Sequence, residues 1–424
     1  MDSASFDRVL RITFQRWSAL ALMAVGSFSI AHAQTADTAS GAFSVFRECV
    51  DAIHDNAYKQ ETKAVIITKA LHGLVKVLGA NYANQDQDLS SAPDEDAEKT
   101  FEQTVQAISE APGQRRSLRE LVETAVDAYC RQHDPYTRYV RSEDFHLVQL
   151  MNKNTGSGVG MTVNDRNGQH FCYPLPGSPA EASGIKSGDK LLSVDGKTLE
   201  EKPLEYVAGL IKGAPGTDVM LRVERSFGRA QTIKVVRESF NTPAILVEKK
   251  LTGQVLRVRK FNKDLLPQVR EAVAGMSPSA SLTLDFRGCP GGNLDVSIDF
   301  ANLFMEPGET IVTLRSRGKA DEVHVAKNAR EIKAPSIILL QDEGTASAAE
   351  LVIAALISSQ SNRAASQGSK TYGKGVFQNS LTLRGGGLLI LTTGEIIAPQ
   401  GRTWEGIGLL PSLENRGRIF PKDE

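Results

Sequence analysis

The sequence has little histidine, little cysteine and no dense run of Lys and Arg. Its 49 basic residues are matched by 50 acidic ones, for a formal charge of −1. Without a basic stripe, a nucleic-acid surface is not expected. The four cysteines, Cys49, Cys130, Cys172 and Cys289, are spaced too widely for a small disulfide scaffold or a zinc site. No cluster of His, Cys and carboxylates has metal-ligand spacing, so neither a metal nor another cofactor is expected. His324 is the only histidine beyond residue 240, and no Gly-x-Ser-x-Gly occurs, which removes a histidine-based nucleophilic triad from consideration. The apolar stretch Trp17–Ile30 is shorter than the about 20 residues that cross a bilayer.

What is present is a chain of 424 residues, too long for one ordinary core. Arg8, Arg11 and Arg16 precede the apolar stretch, and Ala31-His32-Ala33 follows it as a small-x-small site. Residues 1–33 therefore read as a signal peptide, with a retained anchor as the alternative. Export is expected, with the periplasm as the compartment and no stable membrane span after cleavage. Export also makes disulfides possible, and Cys49 and Cys130 either pair or remain buried thiols.

Residues 34–155 read as an N-terminal helical region. Phe46, Val50 and Ile53, then Val65, Ala70, Leu71 and Leu74, recur at helical spacing, as do Leu118, Leu121, Val122 and Ala125. Between them the polar, acidic stretch Asn84–Thr100 reads as a solvated loop or insertion. Asp134-Pro135-Tyr136-Thr137 ends the helical pattern, because proline disfavours helix in the residue before it.

Residues 156–239 change to short β-type runs with glycine turns. Gly158-Val159-Gly160-Met161, Gly184-Ile185-Lys186-Ser187-Gly188-Asp189, Leu191–Gly196 and the short amphipathic helix Leu204–Ile211 together resemble a PDZ domain. The N–H groups around Gly158, Val159 and Gly160 can nest a carboxylate, and a peptide can add as a strand along Met161–Val163. Leu204, Val207, Ala208 and Ile211 lie on one helix face, which can line a side-chain pocket, hold the helix on its sheet, or do both.

Residues 240–424 alternate strands and helices, which points to an α/β sheet with helices packed on it. A buried strand, Pro335–Leu340, runs through Gln341-Asp342-Glu343-Gly344-Thr345-Ala346 to Ser347, which opens a helix that is apolar nearly all round. A helix N-terminus favours an oxyanion, and the Ala348 N–H is placed to donate to one. An N-cap serine would occupy the same position. Lys374 lies between glycines in Gly368-Ser-Lys-Thr-Tyr-Gly-Lys374-Gly; a desolvated lysine can act as a general base, whereas a surface lysine in a glycine turn would do nothing. The same stretch resembles a phosphate-binding P-loop, but Gly375 stands where Ser or Thr is needed and the following sequence is strand-like. The turn Asp285-Phe286-Arg287-Gly288-Cys289-Pro290-Gly291-Gly292 exposes backbone N–H groups that can supply a second oxyanion donor.

In this order, after a PDZ-like segment, these elements resemble the C-terminal processing peptidases, from about Phe46 to Leu413 and including Asp134–Thr137, Gly401-Arg402 and Gly406-Ile407-Gly408. The resemblance implies a ClpP/crotonase-like α/β peptidase core with an inserted PDZ domain. It implies Ser347 as nucleophile, Lys374 as general base, Gln378 as the residue orienting the lysine, and an oxyanion hole from Gly291 or Gly292 with Ala348. It also implies a serine endopeptidase whose partners are proteins or peptides with free C-termini, with an adaptor protein possible. The alternatives are an inactive PDZ scaffold and an acyl-CoA enzyme on the same core. This sequence departs from the family in the longer Ser347-to-Lys374 spacing, with the extra residues in Ser358–Asn362. It also carries Cys289 where Asn is usual, Ser412 where Asp is frequent, and the acidic Asn84–Thr100 stretch.

Overall fold

The computed structural model describes residues 39–144, 157–166, 169–175, 177–200, 202, 204–225, 228–239, 243–251, 253–277, 279–360 and 364–421. The signal expected over residues 1–33 lies outside them, as do 361–362 of the Ser358–Asn362 stretch. The chain forms two compact units.

The first unit takes described residues 39–51, 63–129 and 382–386. It is built from α1 (Ala39–Asn56), α2 (Lys63–Leu78), α3 (Asp94–Ser109) and α4 (Leu118–His133), two of which extend past its limits. Phe46 and Phe101 stack in its interior with centroids 3.8 Å apart. The acidic stretch is only partly a loop, because Asp94–Thr100 forms the first turns of α3. Pro93 precedes that helix, and Asp94, Glu95 and Asp96 occupy its first turn, where the helix dipole stabilises negative charge. Residues that read as solvation are a helix start.

The second unit holds the PDZ region and the α/β core. In the PDZ region, β1 (Met161–Arg166), β2 (Gln169–Pro174), β3 (Asp189–Val194), β4 (Asp218–Arg225) and β5 (Arg229–Val236) form an antiparallel sheet in that order. This places β1 at an edge. Helix α5 (Leu204–Ile211), between β3 and β4 in sequence, packs against β1 and β3.

In the core, β6 (Ile245–Lys250) pairs antiparallel with β7 (Gly253–Val258). Parallel pairing then runs from β7 through β8 (Ser281–Asp285) to β11 (Ile337–Gln341) and β12 (Ala364–Gly368). Helices α6 (Leu265–Val273), α7 (Leu294–Asn302) and α8 (Ala348–Ser358) connect or flank these strands. A second sheet joins β9 (Thr310–Ser316), β10 (Glu322–Val325), β13 (Val376–Thr382), β14 (Leu388–Ile397) and the short strand Arg138–Val140. Every residue of α8 from Ala348 to Leu356 is buried, as its apolar sequence around all faces requires of every position but one. Glu350 is the one charged residue among them.

None of the four cysteines is in a disulfide and all four are buried, so Cys49 and Cys130 are interior thiols. Phe300 is fully buried and meets Phe261 edge-on at 5.6 Å, Phe286 at 6.2 Å and Phe304 at 5.2 Å. Phe300→Ala should cost about 3–5 kcal/mol through lost transfer energy and the cavity left behind. The readout is the urea midpoint of the transition that reports the core, with Phe300→Leu expected to fall much nearer wild type.

Candidate active site

Strand β11 ends at Gln341, and a turn carries the chain into α8. The Thr345 hydroxyl donates to the Phe286 carbonyl at 2.9 Å, and Asp342 Oδ1 accepts the N–H groups of Gly288 at 2.8 Å and Gly344 at 3.0 Å. The Ala346 N–H donates to the Cys289 carbonyl at 3.0 Å. The turn before α8 and the 285–292 turn are thereby one laced structure. Ser347 stands at the head of α8 with φ 55° and ψ −118°. N-cap residues are extended, so this is not the backbone of a simple cap. A non-glycine residue held there stores about 1–3 kcal/mol, a cost that recurs at functional turns.

The Ser347 strain is held by Glu350. Its carboxylate accepts the N–H of Ser347 at 2.7 Å, the hydroxyl of Thr371 at 2.5 Å, and the N–H groups of Gly373 at 2.8 Å and Lys374 at 2.9 Å. One side chain therefore ties the candidate nucleophile's backbone to the candidate base's backbone. Burial pushes the Glu350 carboxyl up to about 6, against the pull of these four donors. Sequence reasoning gave Glu350 no role. The available signal was Ser-x-x-Glu opening an apolar helix, a capping-box spacing whose buried acid must be satisfied by something.

Gly291 has φ 94°, and a Cβ there would lie 2.7 Å from the Ala346 carbonyl oxygen, 2.8 Å from the Ala348 nitrogen and 3.0 Å from the Ser347 Cβ. Only glycine lets this turn lie against the head of α8. The Gly291 N–H is turned to the Cys289 sulfur, whose thiol burial pushes up to about 12. Gly292 has φ 144° and bridges Phe261, with the Phe261 N–H donating to the Gly291 carbonyl at 2.9 Å and the Asn293 N–H donating to the Phe261 carbonyl at 2.8 Å. Among the described residues, the N–H groups of Gly292 and Ala348 make no hydrogen bond.

Lys374 is half-buried, with its ammonium 4.9 Å from the centre of the Tyr136 ring. The Trp404 indole N–H donates to the Lys374 carbonyl at 2.9 Å. Gln378 lies on β13 and is not hydrogen-bonded to the lysine; its amide nitrogen is buried without a partner among the described residues. In the PDZ region the carbonyls of Val159 and Gly160 accept the N–H groups of Ala180 and Leu175, both at 2.9 Å, while their own N–H groups make no hydrogen bond among the described residues. Val207 and Ile211 are buried in the PDZ core, whereas Leu204 and Ala208 are half-buried, and Met161 and Val163 pack partly buried against the same core. The buried side of the helix thus holds α5 on its sheet, and Leu204 and Ala208 stay partly exposed.

The family model of peptidase family S41 matches residues 254–414, and that of the PDZ domain matches residues 170–225. The "Probable CtpA-like serine protease" of Staphylococcus aureus (strain bovine RF122 / ET3-1) is 31% identical over 304 residues, covering 70% of this chain and 61% of that protein. The protein of the same name from Staphylococcus saprophyticus is 30% identical over 322 residues, 74% of this chain and 65% of that one. The chain thus spans about three fifths of the length of these curated relatives. The solved photosystem II D1 C-terminal processing protease shares the fold, with a TM-score of 0.63 at 20% identity over 87% of this chain and 92% of that one. Residues 254–414 thus carry a peptidase family S41 segment preceded by a PDZ domain at 170–225, the chain is similar to the CtpA-like serine proteases, and it shares its fold with a C-terminal processing protease.

Glu350→Gln keeps the shape of the central acceptor but aims an amide N–H₂ at N–H donors. Misplacement of reacting groups by about 1 Å can cost on the order of a hundredfold. Labelling of Ser347 by a fluorophosphonate should therefore slow by roughly ten- to a hundredfold, with the circular dichroism spectrum unchanged.

Proposed function

We propose that this chain is an exported serine endopeptidase that captures unstructured protein C-termini at its PDZ domain and cuts upstream through an acyl-enzyme on Ser347. The observation that carries this reading is the single buried carboxylate joining the Ser347 and Lys374 backbones, beside a turn with two unoccupied N–H groups. In this reading neutral Lys374 takes the proton of the Ser347 hydroxyl as its oxygen attacks the scissile carbonyl. The developing oxyanion is met by the N–H groups of Gly292 and Ala348, and the Gly291 turn lets them approach. The proton then passes to the leaving amine, and water hydrolyses the ester by the reverse sequence. Gln378, with its orphaned amide, is the side chain that would orient the lysine in the working state. Export rests on the pattern of residues 1–33, and no described helix is long and apolar enough to cross a membrane.

Substrate capture follows from the edge position of β1 and the unused N–H groups of Val159 and Gly160. An extended tail can pair with β1 while its terminal carboxylate meets the nest.

Ser347→Ala should abolish casein cleavage while leaving folding and peptide binding intact. Lys374→Arg should be as inactive as Lys374→Ala, because guanidinium stays protonated and cannot accept the serine proton. The wild-type rate should rise with pH as the lysine loses its proton. Appreciable turnover by the arginine form would show that Lys374 contributes charge alone.

The capture step is tested by paired rates on a peptide ending in Ala or Val, with a free or an amidated terminus. Amidation removes charge-assisted hydrogen bonds worth roughly 1.5–3 kcal/mol each, so the free acid should be cut at least tenfold faster. Gly160→Pro, which deletes one N–H, should erase that preference and leave fluorophosphonate labelling of Ser347 intact. Equal wild-type rates on the two peptides would overturn tail recognition.

A further inference from the structure

Two motifs stand outside the chemistry so far, Asp134-Pro135-Tyr136-Thr137 and the segment around Trp404, Glu405 and Gly406. In the folded chain they meet at Lys374. Asp134 accepts the N–H groups of Tyr136 and Thr137, both at 2.7 Å, and the Thr137 hydroxyl at 2.7 Å. Thr392 of β14 adds its own hydroxyl to Asp134 at 3.2 Å, and its N–H donates to the Thr137 hydroxyl at 3.2 Å. An Asx-type turn is thus pinned to the sheet, and it projects the Tyr136 ring.

On the other side, the segment 403–408 is packed against the loop that carries the lysine. The Glu405 carboxylate accepts the Gly375 N–H at 2.7 Å, the Gly406 N–H donates to the Gly373 carbonyl at 2.9 Å, and Trp404 holds the Lys374 carbonyl. Added Cβ atoms would be 2.8 Å from the Gly408 nitrogen at Gly373 and 2.6 Å from the Glu405 nitrogen at Gly375. The glycines flanking Lys374 are therefore there to let this segment close on the loop. The Tyr136 phenol and the Lys374 ammonium both lie within electrostatic reach of the Glu405 carboxylate. With the lysine ammonium over the Tyr136 ring, three half-buried groups form one cluster.

We propose that Tyr136 and Glu405 are the positioning residues of Lys374, the ring face and the carboxylate together forming the seat in which its ammonium rests. The inference rests on the reading of Lys374 as general base. A cation over an aromatic face gains about 0.5–2 kcal/mol, more when desolvated, and a carboxylate alongside favours the protonated lysine. The seat fixes where the lysine sits and delays its deprotonation. The charged and titratable groups facing it are Asp134 and Tyr136 from one loop, Tyr372 from the lysine's own loop, Glu350 from α8 and Glu405 from the last segment. Glu405 itself is raised by burial, against the Gly375 N–H, the Tyr136 phenol and Lys374, and its carboxylate accepts the N–H of Gly375, the residue next to the lysine, at 2.7 Å.

The sign is fixed by the base's role. A base works when neutral, and an adjacent carboxylate raises the pH at which that happens. Glu405→Gln should therefore move the rising limb of Ser347 fluorophosphonate labelling, followed from pH 6 to 10, downward by about one pH unit. Tyr136→Leu should lower kcat on a fluorogenic peptide about tenfold with KM changed less than about twofold, and Tyr136→Phe, which keeps the ring face, should restore most of it. An unmoved limb in Glu405→Gln, or a Tyr136→Phe form as impaired as Tyr136→Leu, overturns the seat. Lys374→Met is measured alongside. If it labels at the wild-type rate, the base assignment itself is wrong and the seat falls with it; if it is inert, the two seat variants decide the inference alone.

Discussion

A buried carboxylate with four donors is the constraint on which this site depends. Glu350 lies in a helix whose other buried residues are apolar, so nothing in its surroundings solvates it except the N–H groups and hydroxyl it gathers. Leaving such a charge unsatisfied would cost several kcal/mol, and that penalty forces the loop 371–374 to close on the head of α8. The strained backbone of Ser347 is held by the same contacts. What looks like a hydrogen-bond network of the active site is also the solution to a burial problem.

The second turn is positioned by a different means. Between Gly288 and Gly292 the backbone approaches α8 and the end of β7 so closely that side chains are excluded at Gly291 and Gly292. Asp342 and Thr345 then stitch it to the nucleophile turn through its own N–H and carbonyl groups. Cys289 is accommodated inside the turn, where its sulfur faces the Gly291 N–H and its thiol, pushed up by burial, stays protonated. The two glycines differ in what they do, Gly291 allowing close approach and Gly292 keeping an N–H that makes no hydrogen bond among the described residues.

Much of this arrangement was legible in local sequence. The PDZ helix over Leu204–Ile211, the strand ending near Gln341 and the apolar helix from Ala348 follow from periodicity and glycine placement, because each element's pattern is complete within a few turns. The acidic segment was misread because charge density suggested solvent, while Pro93 and three acids in the first turn were the helix-start signal. Glu350 was hidden for a different reason. Its partners lie 21 to 24 residues away in a glycine loop, and no local pattern says which buried acid will gather which amides. The meeting of Tyr136 with Glu405 is longer-range still, since the two lie on opposite sides of the PDZ region in sequence and only the sheet containing β14 brings them to one place.

The placement of Glu350 inside the core helix also ties the arrangement of the candidate site to the integrity of the fold. A surface network could persist in a partly unravelled molecule, but here the acceptor that joins the Ser347 and Lys374 backbones is a residue of the packed interior. A copy whose core has loosened loses the arrangement of Ser347 and Lys374 in the same event, so under the proposed function a damaged copy would fall silent before it could cut the chains around it.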